Sequence, residues 1–343
     1  VTALKTEISI EKDYLGGETI ETIYFGGGTP SVLSMDEITD ILNEILEFHE
    51  VSPLAEITLE CNPDDLHADY IKLLAESPVN RLSIGIQSFD DKQLKGMNRR
   101  HSSSQALEAV KACQQQGFDN ISIDLIYGLP GLTISDWQKN IQKGLDLKVQ
   151  HISAYHLTFE KGTVFTHHLK KGNLKEIDEE TSNKQFSSLI EMTRKAGFEH
   201  YEISNFALHG LYSQHNSNYW KQVNYLGLGP AAHSFDQKSR HWNVSHNNKY
   251  IDGIVTGIPN REIETIDPTT RYNEYLMTSL RTMWGVDMDY LQQEFGERQA
   301  LKFQKSFQYF IDQGKATIQD RFYKLTQQGF FISDKIISEL FIV

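Results

Sequence analysis

Residues 23–30 read IYFGGGTP: a short apolar run, three glycines, then Thr29 and Pro30. A strand that ends on bare backbone lets a ligand approach N–H and C=O groups closely. The stretch is not a phosphate loop, because no Gly-Lys-Ser/Thr follows. Nor is it a dinucleotide fingerprint, because the Gly-x-Gly-x-x-Gly spacing is absent. Taken alone, it suits a tight turn as well as a binding wall. The order of the segments around it decides more.

Working outward, short β-branched runs alternate with helix-period stretches. ETIYFGG (21–27), AEITLEC (55–61), RLSIGIQS (81–88), NISIDLIYG (120–128) and HISAYHLT (151–158) read as strands, with HYEISN (200–205) as the last of the series. Helices are predicted over 34–49, 68–77, 102–117, 133–148 and 178–195. Ser34 with Glu37, and Thr133 with Asp136, have capping spacing. Asp64 and Asp65 read as the N-cap and first turn of the second helix. Such alternation predicts right-handed crossovers and a parallel sheet. Thr29, Glu60, Gln87, Asp124 and His156 place polar groups at the ends of successive strands. In a parallel barrel those ends line one mouth, whereas in an open sheet they spread along an edge. The pattern therefore favours a barrel.

Bulk properties narrow the function classes. The 343 residues suffice for more than one folding unit, and a net charge of -13 argues against broad phosphate-backbone binding. No apolar run nears the roughly 18 residues of a membrane span, which leaves only peripheral membrane contact open. Cys61 and Cys113 stand in separate segments without a Cys-x-x-Cys, so a reducing, cytoplasmic setting is expected. The character changes after residue 205. Residues 1–205 read as a (β/α) unit, 206–265 as a His-, Asn- and aromatic-rich connection, and 266–343 as a helical domain. The tail resembles helices followed by a small hairpin, as in winged-helix modules. From residue 267 onward it carries 9 basic and 10 acidic residues, a balance that suits packing on a partner domain better than binding nucleic acid.

Singly, the candidate site residues have ordinary readings. Glu60 suits a salt bridge, a pair of sugar hydroxyls or an ammonium group. Gln87 offers both donor and acceptor. Arg99 or Arg100 could clamp a carboxylate or simply end a solvated helix. Asp124 is a charge inside an apolar strand, costly to bury without a partner or ligand. Taken in order, YFGGGTPS, TLECNPDD, RLSIGIQSFDD, MNRRH and IDLIYGLPGLT resemble the S-adenosylmethionine-binding elements of radical SAM enzymes. More narrowly, they are similar to the oxygen-independent coproporphyrinogen III oxidase family. The resemblance covers nearly the whole chain from about residue 20. It implies that Gly27, Gly28 and Thr29 meet the methionyl end of SAM. It also implies that Glu60 and Arg99 hold its polar groups, and that Gln87 and Asp124 approach the ribose.

A second signature, His215-Asn216-x-x-Tyr219-Trp220, resembles that of the HemW-type heme chaperones within this family. Imidazole is a common heme ligand, and Tyr and Trp stack on porphyrin faces. An aromatic-packed loop is the plainer reading of the same residues. His233, in GLGPAAHS, is a less secure site residue, since Ala231 stands where the family often has glycine. The family's Cys-x-x-x-Cys-x-x-Cys loop, which holds a [4Fe–4S] cluster, is absent, and VTALKTEISIEKDY reads as the helix that follows it. The resemblance thus implies an incomplete parallel (β/α) TIM-type barrel of the radical SAM kind, first strand missing, with a winged-helix-like helical C-terminal domain. The implied function is a heme chaperone that binds heme or porphyrin and SAM and passes heme to an acceptor protein. No cluster-ligating or catalytic residue is assigned in this chain. The alternative is an oxygen-independent coproporphyrinogen III oxidase of porphyrin biosynthesis.

Overall fold

A computed structural model describes residues 1–158 and 175–342. The chain forms two compact units. One comprises residues 23–35 and 56–213; the other comprises 1–22, 36–55 and 214–343.

The main sheet has seven strands in the order β1-β2-β3-β4-β5-β7-β6. They are β1 (Ile20–Phe25), β2 (Val51–Cys61), β3 (Arg81–Gln87), β4 (Ile121–Tyr127), β5 (His151–His156), β6 (Phe198–Glu202) and β7 (Asn205–Leu208). β2, β3, β4 and β5 pair in parallel. The result is the curled, mostly parallel half-barrel that strand–helix alternation predicts. Leu82, Ile84 and Ile86 of β3, and Ile121, Ile123 and Leu125 of β4, are fully buried. Each such side chain contributes about 1.5–3 kcal/mol through burial. Dense β-branched runs form these strands because both faces are covered.

Two expectations need correction. The last strand over 200–205 is a hairpin instead: β6 and β7 are antiparallel, and β7 runs antiparallel to β5. A two-residue connection, Ile203–Ser204, is too short for the crossover that a parallel neighbour needs. Asp64 and Asp65 do not cap the second helix, Ala68–Ala75; His67 does, accepting from Tyr70 N–H. The aspartates face Arg100 instead, at 2.7 and 3.3 Å.

The sequence reading also missed a polar layer at the starts of β3 and β5 and midway along β2. Arg81 and Glu56 are buried with nitrogen and oxygen 3.8 Å apart. His151 is hydrogen-bonded to Ser122 Oγ at 2.7 Å and to Tyr201 Oη at 2.8 Å. Burial, then the Arg81 charge, holds His151 well below its usual pKa, so it stays neutral. On the helical side, Gln185 from helix Glu179–Lys195 clamps the GLPG turn. It accepts from Gly128 N–H at 2.9 Å and donates to Leu132 C=O at 2.8 Å.

In the other unit, the region after residue 213 has more order than its periodicity suggests. Helix Gln214–Trp220 is followed by a three-stranded antiparallel sheet of His233–Phe235, Ser239–Asn243 and Arg261–Thr265. Glu7, on the first helix (Thr2–Ile10), is buried and accepts three hydrogen bonds there. The donors are Gly229 N–H at 2.7 Å, Asn243 Nδ2 at 2.5 Å and Tyr250 Oη at 2.6 Å. Burial nevertheless raises its pKa. From Pro268 on, the order is helix, short strand, two helices and a hairpin, with strand order Val286–Asp287, Phe322–Leu325, Ala316–Gln319. Two helices, Gln327–Phe330 and Ser333–Leu340, follow the hairpin, so the region is helical as expected, with more helix after the hairpin than the sequence reading described.

Candidate functional site

The glycine stretch follows β1 directly, and its backbone is committed. Gly27 has φ +100°, the left-handed region that favours glycine. Its N–H donates to Glu60 Oε2 at 3.2 Å, while Tyr24 Oη donates to Oε1 at 2.7 Å. Both carboxylate oxygens of Glu60 are thereby oriented from one strand end. Burial and the neighbouring Glu60 raise the Tyr24 pKa, so this phenol remains a donor. Gly26 is a close-approach glycine: a Cβ there would lie 2.5 Å from Tyr24 Cε1 and 3.0 Å from the Glu60 carboxyl carbon. Gly28 has open space at the same position.

Gln87 closes β3 with φ +68°, a conformation that non-glycine residues seldom adopt. The β3–β4 register shifts between Ile84 and Gln87, so a bulge re-aims this side chain. Its Nε2 lies where a Cβ on Gly85 would meet it at 2.8 Å. Strain of this kind gathers at functional sites.

Asp124 sits in the middle of β4, not at its end as the sequence pattern suggested. Ser83 of β3 donates to its Oδ1 at 3.4 Å, and Ser153 of β5 also hydrogen-bonds it. Burial and the nearby Glu60 charge push its pKa up to about 6, against the two serines and Arg81. Arg99 feels the charges of Asp124 and Asp64 but forms no ion pair among the described residues. Its neighbour Arg100 is held by Asp64 and Asp65. One guanidinium is thus structural and the other remains available to a ligand. Within this unit the Gly27 backbone meets Glu60 directly, and Asp124 lies within electrostatic reach of Glu60 and Arg99. Thr29 precedes the 3₁₀ turn Pro30–Val32 without capping it through its side chain.

His215 belongs to the other unit. Thr22 Oγ1 lies 2.9 Å from its Nδ1 and Tyr219 Oη 3.1 Å from its Nε2. In the tautomer whose Nδ1–H donates to Thr22, Nε2 carries the lone pair and accepts from the tyrosine; in the other, the two directions reverse. The Tyr219 ring stands edge-on to the imidazole at 5.1 Å. Tyr219 was legible in the motif, since i and i+4 meet on one helix face. Thr22 and Tyr24 were not, because nothing in a β-branched strand marks which member faces a histidine 193 residues away or a glutamate 36 residues away.

Comparisons with known proteins now bear on this geometry. The Radical SAM superfamily matches residues 6–143 and the HemN C-terminal domain matches residues 266–332. A protein of Bacillus subtilis named heme chaperone HemW is 32% identical, covering 98% of this chain and 89% of its own. The chain belongs to the HemW family of heme chaperones. A second HemW, from Lactococcus lactis, is 36% identical over 81% of this chain and 73% of its own length. The coproporphyrinogen III oxidase HemN of Escherichia coli has the same fold, with a TM-score of 0.83 and 19% identity, covering 99% of this chain and 82% of that one. HemW, as a radical SAM family, is associated with SAM and a [4Fe–4S] cluster.

The residues present do not fit the cluster. The two cysteines, Cys61 and Cys113, stand in separate segments and form no Cys-x-x-x-Cys-x-x-Cys loop. Both are buried, and burial raises both thiol pKa values, the opposite of what a thiolate ligand needs. No group of three or more metal-ligating side chains occurs among the described residues. They also include no helix long and apolar enough to cross a membrane.

Proposed function

We propose that this chain binds heme through His215 and SAM on the wall formed by Gly27, Gly28, Thr29, Glu60, Gln87, Arg99 and Asp124, and passes heme to an acceptor protein. The observation that carries the heme reading is the pair of hydrogen bonds on His215. With Nδ1–H donated to Thr22, the lone pair would lie on Nε2, the atom that would hold heme iron. Heme would supply the iron whose open axial position a histidine fills. Tyr219 Oη occupies Nε2 in the free chain, so ligation exchanges a hydrogen bond for a coordinate bond.

For SAM, the residue chemistry divides naturally. The Gly27–Gly28 backbone lets the methionyl end approach, and Glu60 accepts from its ammonium group. Arg99, which forms no ion pair among the described residues, would take its carboxylate. Asp124 and Gln87 would accept from the ribose hydroxyls. No step is derived through the cluster. The oxidase reading is weaker, because the HemN likeness carries the fold alone while the His-Asn-x-x-Tyr-Trp signature belongs with HemW.

Gly26→Ala is expected to displace Tyr24 and Glu60, lowering the melting temperature and weakening SAM binding about tenfold or more. Gly28→Ala, with open space at its Cβ, should leave the melting temperature unchanged. Calorimetric SAM titrations and thermal melts of both variants check this. The function itself is tested by loading the chain with heme and mixing it with an apo-hemoprotein. The holo-acceptor's Soret band should appear faster than heme loss to free solution allows. Transfer no faster than passive release would remove the chaperone reading for this chain.

A further inference from the structure

The unit that holds His215 contains a cavity of about 410 Å³, within the usual range for small-molecule sites. Six rings line it: Trp220, Phe235, Tyr275, Trp284, Tyr290 and Phe322. Trp220 follows Tyr219 on helix Gln214–Trp220, five positions past His215. At about 100° per residue it points away from the His215–Tyr219 face. The cavity is thus a separate place from the imidazole.

The charges in the cavity are nearly all neutralised. Arg240 Nη2 reaches both oxygens of Glu274 at 3.0 Å, and Arg321 lies 3.1 Å from Asp287. Arg271 is paired with Glu294 at 2.8 Å. Lys221 differs: among the described residues its ammonium meets no carboxylate, and it lies over the Trp284 ring at 5.0 Å. The cavity therefore offers aromatic walls and one uncompensated cation. A polyphosphate would face Glu274 and Asp287 with a single positive charge to offset it. A flat aromatic ring that sets one carboxylate on Lys221 and leaves its other carboxylate in solvent needs no more than this.

We propose that this cavity is a second ligand site, which takes one carboxylate-bearing edge of a planar tetrapyrrole, with its ring on the aromatic walls and a carboxylate on Lys221. The proposal rests on the heme-chaperone reading for its choice of tetrapyrrole but not on His215 as a ligand. Metal-free protoporphyrin IX, which has no iron for an imidazole, separates the two. Added to the whole chain, it should quench tryptophan emission saturably at one equivalent. Lys221→Glu, an exposed change expected to leave the melting curve intact, should weaken that binding about tenfold or more. His215→Ala should leave it unchanged. Failure to quench saturably would overturn the proposal. So would wild-type affinity in Lys221→Glu, or loss of binding in His215→Ala. Ferric heme added to the same His215→Ala variant should still reach the cavity but lose the Soret position that an imidazole ligand gives, so failure of either site is read separately.

Discussion

Asp124→Asn should make the chain more stable at pH 7 while removing most of its affinity for SAM. The carboxyl of Asp124 has its pKa raised from 3.8 to about 6, first by burial and then by Glu60. A carboxyl raised in this way favours the fold in its neutral form. Its contribution is fully present below the unfolded value of 3.8 and is lost as pH rises through about 6. The rise corresponds to about 3 kcal/mol at neutral pH. An amide removes that cost and keeps an oxygen to accept from Ser83 and Ser153. It cannot supply the charged acceptor proposed for the ribose, so SAM should bind about 10- to 100-fold more weakly. Denaturant unfolding of both proteins from pH 4 to 8 checks the first half. The variant's advantage should grow between about pH 4 and 7 and then level off. A variant that is less stable at pH 7, or one whose difference from wild type is flat with pH, contradicts the account.

Much of this site can be read in the sequence because its members sit at or near the ends of strands that periodicity already locates. Gly27, Glu60 and Gln87 follow that rule. Asp124 breaks it, yet a lone charge in NISIDLIYG is conspicuous wherever it falls. What could not be read comes from pairing across the chain. Glu60 needs Tyr24, Asp124 needs two serines on neighbouring strands, and His215 needs Thr22. Each of these is an ordinary strand residue until register fixes its neighbour. The β6–β7 hairpin was hidden for a related reason. HYEISN continues a strand pattern smoothly, and only the turn at Ile203–Ser204 reverses it. In the polar layer, Arg81 and His151 open their strands and Glu56 lies midway along β2, where a search for mouth residues does not look.

His215→Ala should have the largest effect on heme. Loss of a partner behind a ligand costs about 10- to 100-fold in affinity, and loss of the ligand itself should exceed about 100-fold. Tyr219→Phe marks the opposite direction. It frees Nε2 from the 3.1 Å hydrogen bond and leaves the ring in place, so heme should bind at least as tightly as to wild type. The decisive measurement is a visible-absorbance titration of ferric heme into the wild-type chain and His215→Ala. A Soret band at the position of a histidine-ligated heme, saturating at one equivalent in the wild type and missing in the variant whatever heme the cavity takes up, is the predicted result. Identical Soret positions and midpoints in the two proteins would contradict His215 as the heme ligand.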